Sequence, residues 1–186
     1  MSTMKKKALV CAACMVALAV IIFALMLTTK VAFVMYTSGD TQYLSEFDQG
    51  ITFFELSGNM SNMASYVSEL KAAAIITNVA VYLTYFFMIL SAVASFIVIP
   101  RMILKNKDDI NVSDFRTVDT FLWLPPLSAY ITCCLPLVFM ESYICKVTRV
   151  AYSVRFTFVG GVNFLYIAIG AFILPKIFRF VCRKFI

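Results

Sequence analysis

Few residues in this 186-residue chain could do chemistry, and none of them is histidine. Its absence removes the commonest general base, the commonest metal ligand and the usual switch near neutral pH. Cysteines come next. Cys11-Ala-Ala-Cys14 has the spacing of a metal or redox pair. It stands alone in an apolar run with no second pair, so no metal and no cofactor is expected. Adjacent Cys133 and Cys134 point apart on a helix, as packing residues do. Cys145 alone is expected to face an oxidising compartment, where it could link two subunits, so no disulfide framework within the chain is implied. Cys182 beside Arg183 and Lys184 fits reversible palmitoylation, as do Cys11 and Cys14 more weakly. Asp108-Asp109 lies between Lys107 and the next apolar run and reads as solvated charge. No nucleophile paired with a base, Gly-rich phosphate loop or carboxylate pair within an apolar run is present, so no enzyme is expected.

The elements that hold these residues follow from composition. Hydrophobic residues make up 62% and charged residues 14% of the chain, and the mean hydropathy is +0.89. A soluble domain has roughly 45–50% apolar and 25% charged residues, so water is not the main solvent here. About 20 apolar residues cross a bilayer as a helix. Four stretches qualify, at about residues 8–29, 72–99, 120–140 and 156–174. The first is too long for a cleaved signal, whose apolar part is roughly 7–15 residues, and is expected to stay as a span. The expected fold is an all-α integral membrane protein, a single domain built as a four-transmembrane-helix bundle. Pro100-Arg101 is expected to end the second span and Pro175-Lys176 the fourth, with Pro125-Pro126 in the first turn of the third. Pro136 should kink that third span.

Lys and Arg set the orientation. Eleven lie beside the ends that include both termini, against five (Lys30, Lys71, Lys146, Arg149 and Arg155) on the other side. This predicts N-in and C-in, outer loops at about 37–70 and 141–155, and an inner loop at about 101–119. Residues 37–70 carry acidic residues and no basic one, whereas Lys146, Arg149 and Arg155 outweigh Glu141 in the second outer loop. Contact between the loops would explain the outer positive charge, although exposed pairs contribute only about 0–1 kcal/mol. Met60, Met63, Tyr66 and Leu70 repeat at helical spacing, and Ser57-Gly58-Asn59 can cap a helix start. Span two is therefore expected to project outward as one helix from about residue 59. Of the two sequons, outer Asn59 is expected to carry a glycan in a eukaryotic source and inner Asn111 none.

Polarity within the spans is weak. Thr77, Thr84, Ser91 and Ser95 share one face of span two, with Asn78 one position away; in span four, Asn163 and Gly170 form one row, and Gly161 and Ala168 another. Small and weakly polar rows let helices approach closely in lipid, and a pore lining could look the same. No charge lies at mid-span, and an ion or proton route usually shows one.

The expected function is that of a non-enzymatic tetraspan. It would serve as an auxiliary, scaffolding or adhesion-type subunit of a complex in the plasma membrane of a eukaryotic cell. Its partners would be the lipid bilayer and another membrane protein or copies of itself. The alternative is a subunit of an oligomeric channel with a weakly polar pore. Nucleic-acid binding is not expected, because the net charge of +6 lies at the membrane rim. The span arrangement resembles that of claudin-like and MARVEL-type tetraspans. The first outer loop has neither Cys nor Trp, however, so the claudin signature is missing and no family is assigned.

Overall fold

In lipid, a backbone must satisfy its own hydrogen bonds, and a helix does so within one segment. The apolar runs obey this rule in the computed structural model, which describes residues 3–36, 41–43, 51–66, 68–105, 110–148, 155–159 and 161–185. Helix α1 covers Thr3–Thr28. Helix α3 (Lys71–Val93) passes through a π turn (Ala94–Val98) into α4 (Ile99–Lys105). Helix α5 covers Arg116–Thr148 and α6 Gly161–Phe185. Short α2 (Leu56–Tyr66) precedes α3. Among the described residues, four stretches are long and apolar enough to cross a membrane: Lys5–Thr28, Lys71–Leu104, Val112–Leu135 and Gly161–Lys184. The chain is a mostly helical, multi-pass membrane protein.

The prolines do not end these helices. At Pro100 the ladder shifts register: the Ile99 N–H donates to the Ala94 carbonyl, five residues back, and the helix continues. A π turn absorbs a residue whose ring and missing N–H disrupt the normal pattern. Helix α6 likewise runs through Pro175. Pro125 and Pro126 lie well inside α5, because a 3-10 turn at Val112–Phe115, capped by Asn111, starts the helix earlier. Helix α5 also continues past Pro136, whose side chain lies outside the described residues.

A second departure is a small antiparallel sheet, which an all-helical reading omits. Strand β1 (Lys30–Tyr36) pairs with β2 (Thr41–Tyr43), β3 (Ile51–Thr52) and β4 (Arg155–Val159). The registers include Val34 with Tyr43, Val31 with Ile51, and Ala32 with Val159. Lys-Val-Ala-Phe-Val-Met-Tyr and Arg-Phe-Thr-Phe-Val are rich in the β-branched and aromatic residues that suit strands. Residues 156–159, expected to open span four, belong to this sheet.

Contacts divide the chain into two compact units. The terminal unit comprises Met1–Leu25, Tyr85–Leu127 and Tyr166–Ile186, and the sheet unit comprises Met26–Thr84 and Ser128–Leu165.

Candidate functional site

In the sheet unit, α2 folds back along α3 instead of extending it. The Ser57 hydroxyl donates to Asn78 Oδ1 at 2.7 Å, and Asn78 Nδ2 donates to Ser61 Oγ at 3.1 Å. In one continuous helix Ser57 and Asn78 would lie about 30 Å apart, at about 1.5 Å per residue. The expected outward projection is therefore a hairpin that turns near the 3-10 segment Ser68–Leu70. The apolar face of α2 is buried at Leu56, Met60 and Ala64. Its start is set earlier than Ser57-Gly58-Asn59, by Thr52 and Glu55. Glu55 Oε2 accepts the Thr52 N–H at 2.7 Å and the Thr52 hydroxyl at 3.0 Å, which is half of a capping box. These two bonds, the backbone one first, together with nearby Lys30, hold the Glu55 carboxyl below its ordinary pKa. Phe53 anchors this turn, packing edge-on against Phe164 of α6 at 5.8 Å.

The hydroxyl stripe of α3 and the π turn that follows it faces inward. Thr77, Thr84, Ser91 and Ser95 are all buried. Thr84 donates to the Ala80 carbonyl at 2.9 Å and lies 2.7 Å from Ser128 Oγ of α5. Because Thr84 has one proton and Ala80 takes it, Ser128 is the donor between them. Thr132 donates to the Ser128 carbonyl at 2.8 Å and completes the cluster. Thr77 Oγ1 and Ser95 Oγ have no hydrogen-bond partner among the described residues. On α6 the two small-residue rows divide. Gly161 and Ala168 are buried, whereas Asn163 is exposed and a Cβ at Gly170 would meet open space.

No family model, curated protein or solved structure matches this chain. The geometry of the site therefore stands alone.

The terminal unit holds what the sequence reading missed. Arg179 of α6 forms an ion pair with Asp119 of α5, their side chains only 14% and 10% exposed. Lys176 and Arg116 add positive charge around the carboxylate. Asp119 Oδ1 and Arg179 Nε have no further hydrogen-bond partner among the described residues. One turn along, Trp123 packs edge-on against Phe172 at 6.0 Å, and Lys176 Nζ lies 3.1 Å from the centre of that Phe172 ring. Lys7 Nζ of α1 donates to the Arg183 carbonyl of α6 at 3.2 Å. Beside this contact the Cys11 and Cys182 thiols share a hydrogen bond, both buried, with Cys14 half-exposed. Among the described residues, no three His, Cys, Asp or Glu side chains gather as a metal site.

The remaining predicted positions are scattered. Asn59 lies in α2 with its amide donating to the Glu55 carbonyl at 3.0 Å, and Asn111 caps the turn before α5. Glu141 and Lys146 lie on α5 and Arg155 on β4. Their side chains, and Arg149 altogether, lie outside the described residues.

Proposed function

We propose that this chain is a non-enzymatic four-span subunit that scaffolds or regulates a larger membrane complex, with both termini in the cytoplasm. The observation that carries this reading is the direction of its polar groups. The hydroxyls of Thr84, Ser128 and Thr132, which could line a water path, bond to one another within a single chain. Facing outward from α3 are Ile75, Val79, Tyr82, Phe86 and Ile89, suited to lipid or to another apolar helix. The contact between Lys7 and Arg183 supports a common side for the two termini, and the excess of Lys and Arg there supports the cytoplasmic one. A glycan on Asn59 and none on Asn111 belongs to the same proposal, as does the plasma membrane of a eukaryotic cell.

The test is to purify the protein in mild detergent, measure the particle mass, identify co-purifying chains, and record conductance after reconstitution. The expected result is a particle containing a different membrane protein and no conductance from this chain alone. A closed ring of this chain that conducts would overturn the proposal. It would favour the second reading, a channel subunit, which rests on the outward row of Asn163 and Gly170 on α6. Sugar on Asn111 would invert the orientation.

A further inference from the structure

Within the terminal unit, α1 and α4 leave an open groove of about 540 Å³ between them, lined by Leu9, Ala13 and Ala17 on one side and Ile99, Pro100 and Ile103 on the other. Its size lies within the roughly 300–1,000 Å³ of small-molecule sites. Its lining has no charged residue, and it falls within two membrane-crossing stretches. The alanines leave the gap, since each presents a single carbon where α4 presents branched side chains.

The groove has a charged end. With 3.6 residues per turn, Leu9, Ala13 and Ala17 fall on one face of α1, and Lys5 and Lys6 continue that face one turn nearer its N-terminus. Lys7 lies round the helix from it, which agrees with its bond to Arg183 on α6. Lys6 is exposed. An apolar channel that opens to the bilayer and ends at lysines matches one ligand chemistry: a long hydrocarbon chain carrying a negative head.

We propose that this groove binds one acyl chain of an anionic phospholipid, with the headgroup held at Lys5 and Lys6. Lysine stems lie along apolar surface and carry their charge to the headgroup layer, so the two ends of the site suit the two ends of the lipid. Each lysine near the surface should favour an anionic over a zwitterionic head by roughly fivefold.

The test uses the full chain in nanodiscs of zwitterionic lipid doped with a phospholipid whose acyl chain bears a diazirine. The probe is supplied in a phosphatidylserine form and a phosphatidylcholine form. After irradiation, peptide mass spectrometry locates the adducts. The proposal expects adducts concentrated on the α1 and α4 peptides, roughly 25-fold richer with the anionic probe, about fivefold for each of the two lysines. Ala13→Phe should abolish them by filling the groove. Should that variant fail to run as a monodisperse species, K5Q/K6Q decides the matter. These changes lie at the helix end, and they should erase the anionic preference while leaving the chain intact. Adducts spread evenly around the exposed faces of α3 and α6, or equal labelling by the two probes, would overturn the proposal. So would a groove that stays unlabelled because a second protein chain covers it.

Discussion

Replacing Asp119 by Leu should strip the buried Arg179 of its counter-ion. Both side chains are almost wholly withdrawn from solvent, so solvent screens little of the interaction. Removing one partner of such a pair costs about 3–5 kcal/mol, because it leaves an uncompensated buried charge. For a chain of this size each kcal/mol shifts the melting midpoint by about 2–4 °C, so D119L should melt roughly 6–20 °C lower. R179M should lose less, because Lys176 and Arg116 still place positive charge around the carboxylate. The double variant D119L/R179M should return to within about 1 kcal/mol of the parent, since a matched apolar pair often replaces a buried ion pair without loss. The assay is thermal unfolding in mild detergent followed by tryptophan fluorescence. The chain has a single Trp, and Trp123 packs between the same two helices against Phe172, so the signal reports their separation directly. A double variant as unstable as the two singles added together would refute the reasoning, as would a D119L that melts with the parent.

Three further outcomes follow from the sheet unit. Asn78→Ala removes both side-chain bonds between α2 and α3 and should loosen α2 by about 1–3 kcal/mol, read as faster amide hydrogen exchange confined to residues 56–66. Gly58→Ala should stabilise α2 by about 0.5–1 kcal/mol, since the added Cβ meets nothing within 4 Å; a lower melting midpoint would show that the glycine is needed. The Glu55 carboxyl is depressed in the folded state, so its contribution is complete above the unfolded value of about 4.3 and is lost as pH falls through the lower folded value. Exchange of the Thr52 amide should therefore lose extra protection in acid, and E55Q should abolish that pH dependence.

The four crossings were legible because nothing but lipid explains runs of this length and composition. Their ends were not. Pro100 and Pro175 read as stops, yet a helix ending inside hydrocarbon would expose several backbone groups, and passing through a proline forfeits one bond. Setting the spans at 120–140 and 156–174 placed Asp119 and Arg179 just outside them, where charge needs no partner; their pairing depends on two helices far apart in sequence. The hydroxyl stripe of α3 was visible as a face from its spacing, but its partners on α5 were not, because Ser128 and Thr132 alone carry no pattern. Residues 156–159 read as the start of a span since a short apolar run serves helix or strand equally well. The hairpin between α2 and α3 gave no warning, for no Gly or Pro marks the turn at Ser68–Leu70.

The pairing of β1 with β4 also constrains how the chain is made. Ala32 finds its partner at Val159, with three of the four crossings emerging before β4. At about 5–20 residues per second, the ribosome needs on the order of ten seconds to deliver that partner after β1 has appeared. Throughout that interval one edge of β1 has no β4 to bond. A nascent chain stalled after its third crossing would carry an open strand edge, the kind of surface on which chains join one another. The segment that leads into α6 therefore brings with it the strand that closes this edge.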